Sequence, residues 1–174
     1  MKVFLIGFMG CGKTTLGRKL SSRLGYEFID LDEHFEKTSG LSITEYFEKY
    51  GEEKFRASEK EILQHSSFPS NTVVSTGGGA PCFSDNMEWM NNNGLTIYIS
   101  MSPEALASRL ERGKLKRPLI KDFNQEELVL FIRDKLLSRE PFYKQASASI
   151  DGLADNKENL VVELINRLDG RKSF

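Results

Sequence analysis

The sequence predicts an α/β fold of three layers, in which a five-stranded parallel sheet carries helices on both faces. Short apolar runs suited to buried strands alternate along the chain with amphipathic segments of helical period. Right-handed crossovers between parallel strands place the helices on both faces of such a sheet. Ligands bind at the carboxyl ends of the strands in these folds, so the residues that follow each strand are the candidates for function.

A glycine-rich pattern lies between the first strand and the first helix. Residues 3–6 are apolar and strand-like, and a helical pattern begins at Thr14. The intervening spacing Gly7-x-x-x-x-Gly12-Lys13-Thr14 is that of a P-loop. Its backbone N–H groups face phosphate oxygens, the lysine supplies a cation, and the threonine hydroxyl can hold Mg²⁺. We therefore predict that the chain binds a nucleoside triphosphate.

The next elements are an amphipathic helix and a second strand. Leucine recurs every four residues from Leu16 to Leu24, and Gly25 is placed to end the helix. Residues 26–30 form the strand, which ends in Asp30-Leu31-Asp32. In strand geometry these alternating aspartates point to one face. One carboxylate can hold Mg²⁺ or its water shell and the other can deprotonate an attacking hydroxyl, whereas a solvated turn or helix cap is the structural alternative.

Two helices follow, and the second carries a possible ion pair. Ser42-Ile43-Thr44-Glu45 has the form of a capping box, and the helix that it starts ends at Gly51. A helix over about 52–64 carries Arg56 and Glu59, which can touch because they are three residues apart. A surface salt bridge of little energetic weight is one interpretation. The other is that Glu59 orients Arg56 toward a substrate carboxylate, and the sequence leaves both open.

Three consecutive glycines follow the third predicted strand. Residues 72–76 are short and β-branched, as in a buried strand, and they lead into Gly77-Gly78-Gly79. A backbone without side chains can approach a small ligand and offer N–H donors, whereas a flexible turn is the alternative.

The later predicted elements are a helix at 84–90, a turn at 91–94, a strand at 95–99, a helix from residue 102, a helix at 125–139, a strand at 146–150 and a helix at 160–168.

A basic segment precedes the helix at 125–139. Its cations are Arg109, Arg112, Lys114, Lys116 and Arg117. Such runs are usually solvated or bind nucleic acid, but this one lacks the aromatic residues that stack on bases. In a phosphoryl-transfer enzyme it suits a mobile lid, at about 111–124, that closes over the triphosphate and places an arginine on the transferring group.

Composition limits the classes of partner. The chain of 174 residues has 24 basic and 25 acidic side chains, so bulk attraction to nucleic acid or an acidic membrane is not indicated. Cys11 and Cys82 have neither metal-ligand spacing nor a disulfide framework, which a reducing cytosol permits. No apolar run approaches the ~20 residues that span a bilayer. We predict one domain over 1–174 that is cytoplasmic and monomeric, with no nucleic-acid or membrane partner.

Together, these motifs resemble the shikimate kinase family, of the nucleoside-monophosphate-kinase-like branch of P-loop proteins. The matching segments occur in family order and are residues 7–15, Asp30-Leu31-Asp32, Gly51-Glu52, Phe55-Arg56-x-x-Glu59, residues 75–79, Arg117-Pro118-Leu119 and Arg139-x-x-x-Tyr143. Many enzymes share the P-loop, whereas the combination of Asp-x-Asp, Phe-Arg-x-x-Glu and triple glycine is far more specific.

The resemblance implies ATP-dependent, Mg²⁺-assisted phosphorylation of the 3-hydroxyl of shikimate, in aromatic amino acid biosynthesis. It implies catalytic roles for Lys13, Asp32 and Arg117, with Asp32 as the base. The implied ATP-binding residues are Gly10, Cys11, Gly12, Lys13, Thr14, Thr15, Arg112 and Arg117. The implied substrate-binding residues are Asp32, Arg56, Gly77, Gly78, Gly79 and Arg139, together with helices at about 32–64. Thr14 would bind the metal directly and Asp30 through water.

Two other functions remain open at this point. The first is a related small-molecule kinase such as a gluconate kinase, since two arginines that face a carboxylate do not distinguish these substrates. The second is a nucleotide-dependent switch protein, although the chain lacks an Asn-Lys-x-Asp guanine-reading sequence.

Overall fold

The structure, a computed structural model, describes residues 1–112 and 120–170. Within these ranges the strands are β1 (Lys2–Ile6), β2 (Glu27–Asp30), β3 (Thr72–Ser75), β4 (Leu95–Ser100) and β5 (Ala148–Asp151). They form one sheet in the order β2-β3-β1-β4-β5, and every neighbouring pair is parallel. The predicted three-layer α/β fold is confirmed.

Seven helices are described with this sheet. They are α1 (Lys13–Leu24), α2 (Leu31–Ser39), α3 (Ile43–His65), α4 (Asn86–Asn93), α5 (Pro103–Glu111), α6 (Gln125–Tyr143) and α7 (Lys157–Gly170). A single 3₁₀ turn, Ala80–Cys82, follows the triple glycine. The break predicted at Gly51 is present inside α3, where this residue has φ 80° and interrupts the helical backbone.

Helix α2 begins directly at the end of β2. The Asp30 side chain caps it by accepting a hydrogen bond from the Asp32 backbone N–H at 3.1 Å. Asp32 and Glu33 lie in the first turn, where negative charge favours the helix dipole. The predicted alternation of two aspartates along a strand is therefore wrong, because Asp32 is a helical residue.

Other boundaries also differ from the prediction. The asparagine run at 91–93 closes α4 instead of forming a turn, and the Asn93 side-chain amide donates to the Trp89 carbonyl at 2.8 Å. Helix α6 does not stop at Arg139 but continues through Pro141 to Tyr143. That additional turn matters because it brings Tyr143 toward the triple glycine.

The sheet places the segments that follow β1, β2 and β3 at one edge. Strand β1 is almost entirely buried, and α1 packs closely on the sheet at Gly17, where an added Cβ would lie 3.3 Å from Leu5 Cδ1. Because the strands are parallel, the segments that follow β1, β2 and β3 converge at their carboxyl ends. None of the helices described is long and apolar enough to cross a membrane.

Candidate active site

A cavity of about 300 Å³ lies over the P-loop and is called the donor cavity here. Its lining residues are Gly10, Gly12, Lys13, Thr14, Thr15 and Arg109. Gly10 and Gly12 have φ of 82° and 101°, a region that residues with a Cβ rarely adopt. The sequence therefore needs glycine at these positions to present the loop's N–H groups to an anion.

Lys13 is folded into the loop. It is 8% exposed, and its Nζ donates to the carbonyl oxygens of Gly7 at 2.9 Å and Phe8 at 3.0 Å. Carbonyl groups are neutral acceptors, so these contacts leave the lysine charge uncompensated. The ammonium group is thereby held beside the donor cavity with its charge available to phosphate oxygens.

Three oxygen-bearing side chains meet beside Lys13 and are suited to Mg²⁺. Thr14 Oγ1 donates to Asp30 Oδ2 at 2.7 Å and lies 3.5 Å from Ser75 Oγ. Hydroxyl and carboxylate oxygens are preferred ligands of this ion, which in kinases takes its remaining ligands from phosphates and water. Among the described residues, no group of three or more His, Cys, Asp or Glu side chains could hold a metal. The oxygen set fits an ion that arrives with its nucleotide.

Arg109 joins the P-loop to the segment after β5. Its Nη1 donates to the Cys11 carbonyl at 3.1 Å and its Nη2 to the Gly152 carbonyl at 3.3 Å. The sequence predicts Arg109 only as a member of the basic segment, because no local pattern indicates a contact between residues 98 positions apart. Arg112 lies exposed at the end of α5. Arg117 and half of the predicted lid, residues 113–119, lie outside the described residues.

A second cavity, of about 210 Å³, adjoins the P-loop and is called the acceptor cavity. An apolar wall of Met9, Ile43, Phe47 and Phe55 faces the polar groups Asp32, Arg56, Glu59, Gly77, Gly78, Gly79 and Arg139. A wider cavity of about 590 Å³ shares Arg56, Gly79 and Arg139 with it. The guanidinium groups of Arg56 and Arg139, which we call the arginine clamp, therefore lie where both cavities meet.

The Arg56–Glu59 pair is buried. Arg56 Nη1 lies 2.6 Å from Glu59 Oε2, and Glu59 is only 1% exposed. The interpretation of this pair as a surface salt bridge is therefore wrong. Burial raises the pKa of the Glu59 carboxyl to about 7, although the charge of Arg56 and its hydrogen bond act in the opposite direction. Glu52 is a further, exposed carboxylate 3.6 Å from Arg56 Nε.

The triple glycine lies against the arginine clamp. A Cβ on Gly79 would lie 2.6 Å from Arg56 Cζ, and one on Gly78 would lie 3.4 Å from Arg139 Nη1. A side chain at Gly79 would therefore displace the Arg56 guanidinium, whereas one at Gly78 would be in close contact with that of Arg139. Because glycine has no Cβ, the backbone of this segment can pack directly against the guanidinium groups of the clamp. A turn made of residues with side chains could not approach them as closely.

Replacing Gly79 with alanine is expected to displace Arg56 and to raise the KM for the acceptor by about 10- to 100-fold, because small misplacements of binding groups are costly. Steady-state kinetics with each substrate varied in turn measures this effect. The KM for ATP serves as the internal control, since Gly79 does not line the donor cavity. An equal rise in both KM values would show that the substitution perturbs the whole sheet edge.

Helix α6 holds the glycine segment from the other side. The Tyr143 hydroxyl donates to the Gly78 carbonyl at 2.5 Å, and the Tyr143 ring is fully buried. One turn earlier, the Arg139 guanidinium lies over the Phe8 ring, 5.4 Å from its centroid. The same helix thus fixes both one guanidinium of the clamp and the backbone beside it.

Replacing Tyr143 with phenylalanine is expected to lower the free energy of unfolding by about 1–3 kcal/mol, because the Gly78 carbonyl loses its buried donor. Urea denaturation measures this change. Tyr50→Phe is a matched control, since Tyr50 is 38% exposed and its substitution should change stability by less than about 0.5 kcal/mol. Equal effects of the two substitutions would contradict a structural role for the Tyr143 hydroxyl.

One carboxyl group of the acceptor cavity, that of Asp32, is within electrostatic reach of the P-loop. It lines the acceptor cavity, and it interacts electrostatically with Lys13 of the donor cavity. Burial, and next the negative charge of Asp30, raise the pKa of the Asp32 carboxyl, whereas Lys13 and Arg56 lower it. A carboxylate of raised pKa is a better proton acceptor than one in water, which suits a general base.

The fold and the two cavities together define the class of protein as a P-loop kinase of small molecules. The shikimate kinase family model matches residues 9–169. A shikimate kinase from Parabacteroides distasonis is 44% identical over 167 residues, which cover 96% of each chain. The chain belongs to the shikimate kinase family.

Solved structures agree with this assignment. A shikimate kinase from Bacteroides thetaiotaomicron superimposes with a TM-score of 0.86 at 37% identity, over 97% of each chain. One from Acinetobacter baumannii, solved in complex with shikimate, has a TM-score of 0.83 at 34% identity, over 99% of this chain and 95% of its own. A gluconokinase from Sinorhizobium meliloti, at 17% identity and a TM-score of 0.55, shares the fold alone. The comparisons therefore favour phosphorylation of shikimate over the gluconate kinase alternative.

Proposed function

We propose that this protein transfers the γ-phosphoryl group of ATP to the 3-hydroxyl of shikimate, forming shikimate 3-phosphate in aromatic amino acid biosynthesis. The observation that carries the proposal is that Asp32 lines the cavity that contains the arginine clamp and interacts electrostatically with Lys13 of the phosphate-binding cavity. Shikimate is a hydroxylated carboxylate, so the clamp suits one end of it and Asp32 suits the other.

The reaction needs positioning and charge stabilisation more than covalent chemistry. The clamp would orient the acceptor by its carboxylate, and Asp32 would accept the proton from the attacking hydroxyl. Lys13 would neutralise charge on the phosphates, and Arg117 of the lid would contact the transferring group. Apolar side chains of the acceptor cavity would exclude water, which otherwise competes as an acceptor.

We include Mg²⁺ in this proposal as an ion that binds together with ATP. Thr14 would bind it directly and Asp30 through water, consistent with their 2.7 Å contact beside the loop. When bound, the ion neutralises charge on the phosphate oxygens. Omission of Mg²⁺, or addition of a chelator, should abolish turnover.

A coupled assay of ADP release tests the proposed acceptor directly. The full chain would be supplied with ATP and Mg²⁺ and with shikimate, gluconate or no acceptor. Turnover with shikimate alone would support the proposal, and phosphorus NMR would identify the 3-phosphate. Equal turnover in all three reactions would contradict it.

We further propose that the chain acts as a monomer in the cytoplasm, as one domain over 1–174 with a lid at about 111–124. Use of ATP as a substrate supports the cytoplasmic location. Analytical ultracentrifugation of the active protein tests the monomer, and a dimer at assay concentrations would contradict it.

A further inference from the structure

Glu59 has one carboxyl oxygen that the described structure leaves without a partner. Its Oε2 accepts a hydrogen bond from Arg56 Nη1 at 2.6 Å. Its Oε1 is buried and has no hydrogen-bond partner among the described residues. An unsatisfied buried carboxylate oxygen is costly, and a proton on that oxygen would lower the cost.

The groups that face Glu59 come from four directions. Arg56 lies on the same helix, Asp32 faces it from α2, Arg139 faces it from α6, and the Cys82 thiol lies beyond the triple glycine. The Cys82 thiol is neutral near pH 7 because burial raises its pKa to about 11. Among the described residues, the charged groups that line the acceptor cavity are therefore two guanidinium groups and two carboxyl groups.

The two carboxyl groups face the same glycine. A Cβ added to Gly77 would lie 2.5 Å from Glu59 Oε1 and 3.0 Å from Asp32 Oδ1. The unpaired oxygen of Glu59 is thus directed toward the side of the cavity where the negative charge of Asp32 lies. A further anion bound here would make the charged form of Glu59 still less favourable.

We propose that Glu59 takes up one proton from the solvent when the carboxylate of shikimate enters the arginine clamp, and returns it when the ligand leaves. This inference rests on the proposed function, because shikimate is the anion that brings the third negative charge. The new O–H bond forms at Oε1, while Oε2 keeps its hydrogen bond to Arg56. Acceptor binding is then coupled to proton uptake.

The direction of the pH dependence follows from this coupling. The pKa of Glu59 is about 7 in the free protein, and the bound anion raises it further. Below the free pKa, Glu59 is protonated in both states, so its titration does not change the affinity. Between the free and bound pKa values the affinity falls as the pH rises, by up to about tenfold per pH unit. Above both values the affinity is again independent of this group.

Isothermal titration calorimetry of the full chain with shikimate, in buffers of different ionisation enthalpy, measures the number of protons taken up. At one pH unit above the free pKa we expect uptake of a positive fraction of one proton per shikimate. Binding without proton uptake would overturn this inference and leave the proposed function standing. Absence of shikimate binding would overturn the proposed function, and this inference with it.

Glu59→Gln tests which group takes the proton. Glutamine can still accept from Arg56 and resembles the protonated acid, so we expect shikimate binding with no proton uptake and a flat pH profile. Glu52→Gln is the matched control, since Glu52 also lies near Arg56 but is 69% exposed, and it should keep the wild-type proton number. Unchanged proton uptake in Glu59→Gln would overturn the assignment. If this variant fails to fold, the calorimetric titration of the wild-type protein still shows whether shikimate binding is coupled to proton uptake.

Discussion

Replacing Arg56 with alanine is expected to raise the KM for shikimate by at least about 30-fold, because loss of one member of a buried charge pair costs 2–5 kcal/mol or more. Arg56 contributes one of the two guanidinium groups of the clamp, and its side chain is only 16% exposed. The KM for ATP should stay near the wild-type value, since Arg56 does not line the donor cavity. Steady-state kinetics with each substrate varied separately measures both effects.

The same substitution should also destabilise the protein, since it leaves Glu59 buried without its cation. The double variant Arg56→Ala/Glu59→Gln separates the two effects, because it removes the unpaired charge and should recover stability without recovering shikimate binding. Arg133→Ala is a matched surface control, as Arg133 makes an exposed pair with Glu104 at 3.3 Å. A parallel loss of ATP affinity in Arg56→Ala would show that the residue acts outside the acceptor cavity.

Replacing Asp32 with asparagine is expected to lower kcat by about 10²–10⁴-fold, the usual contribution of general acid–base catalysis. Asparagine matches aspartate in size but cannot accept the hydroxyl proton. Because Asp32 lies in the first turn of α2, its substitution should leave the sheet and the donor cavity intact. Single-turnover measurements with saturating shikimate and ATP distinguish slow chemistry from weak binding.

The neighbouring residue provides the control for this substitution. Glu33 lies in the same helical turn but forms an exposed pair with Arg18 at 2.9 Å. Glu33→Gln should therefore keep kcat within about twofold of wild type, since surface pairs contribute little. A fall of less than about tenfold in Asp32→Asn would argue that the hydroxyl loses its proton without a protein base.

Local sequence patterns were sufficient to predict the sheet and the segments at its edge. The P-loop spacing and the β-branched segment before Gly77 are patterns of residues that are close in sequence. The strands that they predict, β1 and β3, are present in the structure. Helix α2 also had a local signal, because Asp30 precedes two acids in the manner of a capped helix start. A helix cap was considered only as the alternative there, because the aspartates also fit the alternation of a strand, and the structure confirms the cap at Asp30.

Contacts between distant residues could not be predicted in the same way. The bond from Arg109 to Cys11 depends on how α5 packs against the P-loop. The bond from Tyr143 to Gly78 requires α6 to continue through Pro141, which local rules place at the end of a helix. Packing of the whole fold decides both contacts.

The two carbonyl contacts of Lys13 have a consequence for the energetics of nucleotide binding. The loop already curls around its own ammonium group through Gly7 and Phe8, so its curved shape does not require a ligand. Little conformational entropy is then lost when ATP binds, and more of the interaction free energy appears as affinity. The backbone of this loop should accordingly have nearly the same shape with and without nucleotide, as in a preorganised receptor.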